Sequence, residues 1–205
     1  AAGRPGRYII EDDYDSEFRY ASRPIPALRD LDREGRVIYV NTFSRSLAPG
    51  LRIGYLVLPD ALMMRYRERF SLYSATVSSF DQQTLAAFMQ SGGFERHISR
   101  SRKVYQARRD ALMAAIEREF SALPHEISRS EAGLHLLLHM RNGMLERELV
   151  ERARMAGVRV YALSSYYTPP VRPPRATLIL GYAGMTEQQI DEAVARLRQA
   201  WTRPM

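Results

Sequence analysis

Five residues in a row, Glu11-Asp12-Asp13-Tyr14-Asp15, set four carboxylates around one phenol directly after an apolar run at 7–10. A second polar cluster, Asn41-Thr42-Phe43-Ser44-Arg45, follows another apolar run at 36–40, and Arg52 stands close behind it. A carboxylate can hold a protonated ring nitrogen, and hydroxyls with guanidinium groups can hold an anionic tail. In open α/β sheets ligands sit outside the carboxyl ends of the strands, which is where both clusters fall. Taken alone, the same residues also fit a solvated turn after a strand, with Thr42 and Ser44 in ordinary turn roles.

Pyridoxal phosphate is one ligand with both a basic ring nitrogen and an anionic tail. A carboxylate keeps its pyridinium nitrogen protonated and makes the ring an electron sink. The residue types permit that ligand without selecting it.

The elements that must position these clusters are readable from the apolar pattern. Runs at 7–10, 36–40 and 53–58 show little alternation and suit strands buried on both faces of a largely parallel sheet. Asp60 is placed to cap a helix carrying Leu62, Tyr66 and Phe70 on one face. Ser79, with Gln82 three residues on, reads as a capping box for a helix bearing Leu85, Phe88 and Met89, stopped at Gly92-Gly93. A long helix over 95–120 links two domains, expected at 1–105 and 106–205. After Pro124 the texture changes. Strands are predicted at 126–130 and 134–140, joined at Ala132-Gly133, with a helix at 144–155 presenting Leu145, Leu149 and Ala153. Further strands are predicted at 158–162 and 177–182, around a loop at 164–174 rich in Pro, Ser and Tyr. Thr186 and Gln189 cap a last helix with Ile190, Val194, Leu197 and Trp201 on one face. The first part is α/β, and the second is a small α+β domain.

Composition narrows the classes. The chain of 205 residues has no cysteine, so it carries no disulfide framework or thiolate metal site. No run approaches bilayer length and no secretory signal opens the chain, so a bacterial-type cytoplasm is expected, with no membrane partner. The chain opens Ala-Ala-Gly rather than with Met, as a cleaved piece would. Its net charge of +7 is carried almost entirely by arginine, with Lys103 the only lysine. The arginines interleave with glutamates along helices, the pattern of solvated faces. A basic nucleic-acid-binding module is therefore the lesser reading. His97, His125, His135 and His139 form no metal-ligand spacing with carboxylates, so no metal is expected. Tyr166-Tyr167 either line a pocket or pack the Pro-rich loop.

The segments 10–18 and 42–55, with Asp12 and Arg45 set 33 residues apart, resemble the aminotransferase-like domain of MocR regulators. These are a branch of the GntR transcription factors whose domain has the fold type I architecture of pyridoxal-phosphate enzymes. Further matches run in order through nearly the whole chain: 97–109, Ala132-Gly133-Leu134-His135, Gly157-Val158, Ser165-Tyr166-Tyr167 and Leu180-Gly181-Tyr182-Ala183.

The resemblance implies the later part of the large, mostly parallel domain followed by the small C-terminal domain. It implies pyridoxal 5'-phosphate as cofactor, with Asp12 on the pyridine nitrogen and Tyr14 on the phenolic oxygen. Thr42, Ser44 and Arg52 would hold or support the phosphate. It further implies a homodimer, an amino-acid-like small ligand, and DNA contact only through a winged helix upstream. The family's phosphate-binding loop and ring-stacking aromatic also precede this stretch. A partial sheet of this kind should expose apolar edge and face.

Two departures qualify the resemblance. Arg45 stands where the family has its Schiff-base lysine. A guanidinium stays protonated and delocalised, so it cannot bond to an aldehyde or shuttle the α-proton of a substrate. Lys103, in the linking helix, is no replacement. At the last strand, where many aminotransferases grip a substrate carboxylate with arginine, this chain has Ile179, with Arg172 and Arg175 nearby. Two functions follow: a ligand-sensing regulator domain that binds without turnover, or an aminotransferase whose lysine has been substituted.

Overall fold

The structure is a computed structural model and describes residues 6–13, 15–20, 26–128, 131–168, 171 and 176–202. The chain divides into two compact units, one formed by 1–17 and 23–100, the other by 18–22 and 101–205.

In the first unit, strands β1 (Ile9–Asp12), β2 (Val37–Thr42) and β3 (Gly54–Val57) form one sheet in that order. β1 and β2 run parallel with Asp12 opposite Val40; β2 and β3 run antiparallel with Thr42 opposite Gly54. The sheet is thus mixed, not uniformly parallel, because the turn at 43–53 returns the chain directly beside β2. Between β1 and β2 lies the short helix α1 (Leu28–Leu31). The Glu11 carboxylate accepts from the Leu28 and Arg29 amides at 2.7 and 2.9 Å. Asp32 then accepts from the Glu34, Arg36 and Val37 amides, and these bonds, Val37 foremost, hold its carboxyl below the usual range. Gly35, at φ +63°, completes that turn.

After the one-turn helix α2 (Phe43–Ser46) and β3 come α3 (Asp60–Phe70) and α4 (Ser79–Gln90). Their caps differ from the sequence expectation by one residue. Pro59, extended at ψ 148°, occupies the cap of α3, so Asp60 is its first helical residue and makes no capping bond. Ser78, not Ser79, caps α4; its hydroxyl accepts from the Asp81 amide at 3.1 Å and donates to the Asp81 carboxylate at 2.7 Å. Gln82 instead donates to the Val77 carbonyl.

The strands are not buried on both faces as their apolar runs suggest. Only Val37, Ile53 and Ile98 are buried hydrophobics in this unit. Tyr55, Leu56 and Val57 are exposed along β3, and a cavity of about 740 Å³ opens beside them between Tyr66, Phe70, Leu85 and Met89. This is the exposed apolar edge and face expected of a partial sheet.

The long helix α5 (Gly93–Glu119) follows, and its later turns belong to the second unit. There β4 (His125–Ser128), β5 (His135–Met140), β6 (Tyr161–Ala162) and β7 (Ala176–Gly181) pair wholly antiparallel in the order β4-β5-β7-β6. The strand expected at 158–162 is therefore two residues long. Gly157, at φ +76°, turns the chain out of α6 (Glu146–Met155), and a short 3-10 turn at Leu163–Tyr166 follows the strand. α6 starts two residues later than expected, and Leu145, at its extended cap, is exposed and not part of the buried face.

This unit owns a real core. Leu136, Leu138 and Met140 of β5 and Leu178 and Leu180 of β7 are buried with Leu149 and Ala153 of α6. Ile190, Val194, Leu197 and Trp201 of α7 (Glu187–Thr202) complete it, together with Ile116 and Phe120. Their spacing is the helical stripe read from the sequence. Each such side chain stabilises by roughly 1.5–3 kcal/mol on burial. Trp201 also donates Nε1 to the Leu149 carbonyl at 3.0 Å, and its ring lies 5.5 Å from that of Phe120. Thr186 and Gln189 form the expected reciprocal cap of α7, at 2.9 and 3.2 Å.

Candidate functional site

The run of acids after β1 separates into residues with different duties. Glu11 is occupied in capping α1. Asp13 accepts from the Tyr39 phenol at 2.8 Å and the Ser16 hydroxyl at 2.9 Å, while its amide donates to the Val40 carbonyl. Asp12 is exposed, and its side chain makes no hydrogen bond or ion pair among the described residues. The strand's alternation explains this: adjacent side chains leave opposite faces, so Asp13 can be tied down while Asp12 stays open.

The partner of Asp13 belongs to a longer chain of bonds along β2. Asn41, 5% exposed, donates from Nδ2 to the Tyr39 phenol oxygen at 2.8 Å and accepts from the Thr42 amide at 2.5 Å. Burial pushes the Tyr39 phenol well above its ordinary range; the Asn41 bond works against this and the neighbouring Asp13 adds to it. Nothing in the residue types flagged Tyr39 or Asn41, because their partners lie on another strand.

At the turn after β2, Thr42 caps α2. Its hydroxyl accepts from the Ser44 amide and donates to the Ile53 carbonyl, both at 3.2 Å. Ser44 donates to the Leu51 carbonyl at 2.8 Å, and the Phe43 amide donates to Ile53 at 2.9 Å. Both hydroxyl protons are thus spent on backbone, and these residues shape the turn; an anion would meet them only through remaining donors nearby. Ser46 is 2% exposed, and its Oγ has no partner among the described residues. Arg45 and Arg52 are both exposed. Arg52 makes no side-chain bond among the described residues, whereas Arg45 has a partner within the protein. Tyr39, Tyr55 and Phe43 line up beside the turn, with ring centroids 6.1 and 5.4 Å apart.

The structure brings Asp12 beside β2 and gathers Thr42, Ser44, Arg45 and Arg52 on one turn. Tyr14, Arg172 and Arg175 lie outside the described residues. Ile179 sits mid-strand in β7, paired with Leu137 and Tyr161. Lys103 is exposed on α5, and Tyr166 and Tyr167 are exposed beyond β6. His139 bridges the Ser128 and Thr177 hydroxyls at 2.7 and 2.9 Å. Among the described residues no three His, Asp or Glu side chains gather to hold a metal, and no helix is long and apolar enough to cross a membrane.

The family description Aminotransferase class I and II matches residues 8–197. This chain belongs to the aminotransferase class I and II family. Its relatives include the HTH-type transcriptional regulator YdeL of Bacillus subtilis, 44% identical over 95% of this chain and 41% of that protein. The probable rhizopine catabolism regulatory protein MocR of Rhizobium meliloti is 36% identical over 97% of this chain and 40% of its own length. Among solved structures, kynurenine aminotransferase of Pyrococcus horikoshii, in complex with PMP, superposes with a TM-score of 0.81 at 31% identity, covering 95% of this chain and 47% of that one. LysN of Thermus thermophilus, complexed with N-(5'-phosphopyridoxyl)-L-leucine, gives 0.77 at 28% identity, covering 95% and 50%. The fold is that of the fold type I pyridoxal-phosphate aminotransferases. The chain spans about two fifths of the length of the curated relatives it matches.

Proposed function

We propose that this chain is the later part of the ligand-sensing, aminotransferase-like domain of a MocR-type transcriptional regulator. It binds pyridoxal phosphate, or an amino-acid adduct of it, without a covalent bond and without turnover. The observation that carries the reading is the division of labour after β1. Two of three consecutive acids are consumed by the fold, and Asp12 alone stands open at the strand end, 33 residues before Arg45. HTH-type regulators among the relatives support the regulatory part.

The donor set fits the cofactor chemically. Asp12 would pair with the ring nitrogen, and Arg52, open and cationic, would take the phosphate. Thr42 and Ser44 would hold the turn that presents Arg52. Tyr14 would meet the phenolic oxygen. When bound, the protonated ring supplies an electron sink. Arg45 offers fixed positive charge where a transaminating site needs an amine that can give up its proton, so the α-proton of a substrate has no base at this position. In the intact protein a cytoplasmic homodimer is expected, with DNA held by an upstream winged helix.

The test is a fluorescence titration of the full-length protein with pyridoxal phosphate, followed by borohydride reduction and peptide mass analysis. Saturable binding that dialysis reverses, with no label at residue 45, is the expected result. An active-site label, or release of keto acid from amino acids, would overturn the non-catalytic reading; absence of binding would overturn the cofactor reading.

A further inference from the structure

Charge around the turn joining β2 to β3 is one-sided. From Gly35 to Pro59 the chain carries Arg36, Arg45 and Arg52 and no aspartate or glutamate. The hydrogen bond from Ser44 Oγ to the Leu51 carbonyl, 2.8 Å, ties together the two residues that immediately precede Arg45 and Arg52. The Phe43 amide and Thr42 hydroxyl bind the Ile53 carbonyl just beyond. The two exposed arginines are therefore held on one clamped turn, not on independent loops. One phosphate accounts for one of them. A second guanidinium beside it, with no carboxylate in the segment to neutralise it, matches a second anionic group on the ligand.

Resting on the cofactor reading above, we infer that Arg45 makes this site selective for a phosphorylated pyridine that also bears a carboxylate arm, such as a phosphopyridoxyl amino acid joined through a secondary amine. The reason is the chemistry of the group at position 45. A guanidinium presents planar paired N–H donors that match a carboxylate bidentately. The free aldehyde offers it one neutral acceptor. Pyridoxamine phosphate offers a cationic amine, which it repels. Arg45 has a partner within the protein, and its five donors leave capacity for a carboxylate besides. The selected ligand cannot pass its arm to the protein, since no amine stands at residue 45. Occupancy then reports the amount of such a compound, as a sensor requires.

Isothermal titration of the full-length protein with pyridoxal phosphate, pyridoxamine phosphate and N-(5'-phosphopyridoxyl)glycine tests this. The glycine compound is expected to bind about tenfold tighter than pyridoxamine phosphate. In Arg45→Gln the gap should shrink to within about twofold, with pyridoxamine phosphate bound no more weakly than before. Arg45→Lys, which keeps the charge and loses the fork, should fall between; neither probe in this comparison carries an aldehyde, so no covalent capture intervenes. Equal affinities in the wild type, or a gap that survives in Arg45→Gln, would overturn the selectivity while leaving the cofactor reading in place. No binding of any of the three would remove both.

Discussion

The Tyr39 phenol, on β2, donates to the Asp13 carboxylate at 2.8 Å, one residue beyond the end of β1. This bond spans 26 residues of sequence and adds a side-chain tie to the backbone ladder between the two strands. It also supplies the acceptor for the buried Asn41 amide at 2.8 Å. Tyr39→Phe removes both at once. Asp13 keeps Ser16, but the Asn41 Nδ2 loses its acceptor in a nearly closed position. The expected loss is about 1–3 kcal/mol of stability, read as a lower urea midpoint at unchanged slope.

Alkaline pH should act through the same phenol. The Tyr39 hydroxyl is pushed up chiefly by burial, and the Tyr20 hydroxyl is pushed up by burial and then by the neighbouring Tyr182 phenol. A group whose folded pKa is raised contributes stability that is whole below its unfolded value and is lost as pH climbs toward the folded value. Stability should therefore hold to about pH 10, the ordinary tyrosine value, and fall above it. Denaturation midpoints measured across that range should decline less steeply in Tyr39→Phe than in the wild type. Equal slopes would mean that the Tyr39 phenol titrates alike in folded and unfolded chains.

Asp12 and Asp13 are neighbours with opposite expected phenotypes. Asp12→Asn alters an exposed side chain with no bond among the described residues, so stability should stay within about 0.5 kcal/mol. Its effect should appear in affinity for pyridoxamine phosphate, weakened because a neutral amide no longer favours a protonated ring nitrogen. Asp13→Asn should do the reverse in stability, costing about 1–3 kcal/mol as the Tyr39 and Ser16 donors lose their charged acceptor. Paired urea melts and titrations of the two variants check this; a stability loss in Asp12→Asn comparable to that of Asp13→Asn would contradict the division of roles.

The second unit sets a scale for comparison. Trp201 is 3% exposed, packs on Phe120 and bonds the Leu149 carbonyl, so Trp201→Ala should cost about 3–5 kcal/mol through a large cavity. Tyr182 is fully buried but shares its acceptor, the Gly133 carbonyl, with the Tyr20 hydroxyl. Tyr182→Phe leaves that carbonyl bonded and should cost only about 0.5–1.5 kcal/mol. Urea melts of both variants should rank them in that order.

What the sequence made legible was local. The α7 stripe at 190, 194, 197 and 201 and its Thr186–Gln189 cap depend on near neighbours in sequence or on helical period alone. The cap of α4 was ambiguous because Ser78 and Ser79 each have a polar partner three residues on. The charged Asp81 wins, since it both accepts from the Ser78 hydroxyl and places its amide on it. At the site, the strand ends and their polar clusters were readable, but the fate of each side chain was not. Thr42 and Ser44 look like anion donors until β3 folds back and supplies the Ile53 and Leu51 carbonyls. Asp13 looks as available as Asp12 until Tyr39 arrives from another strand. The apolar run of β3 misled about burial because a run records what a strand can cover, not what covers it.

Arg45→Lys carries the sharpest test of why turnover is absent. Residue 45 is exposed in the last turn of α2, where lysine and arginine have similar helix propensities, so the fold should change by less than about 0.5 kcal/mol. The chemistry changes in kind, because lysine can lose its proton and attack an aldehyde where arginine cannot. Arg52, on the same clamped turn and with no acid between Gly35 and Pro59, disfavours a second cation and so favours the neutral form of an amine introduced at position 45. Full-length Arg45→Lys mixed with pyridoxal phosphate should turn yellow, and borohydride should fix the label on the peptide containing position 45, in a protein whose wild type carries none there. Label confined to the peptide containing Lys103 in both proteins would be ordinary surface reactivity. It would show that the turn does not present residue 45 to the ligand, and that more than one residue separates this site from catalysis.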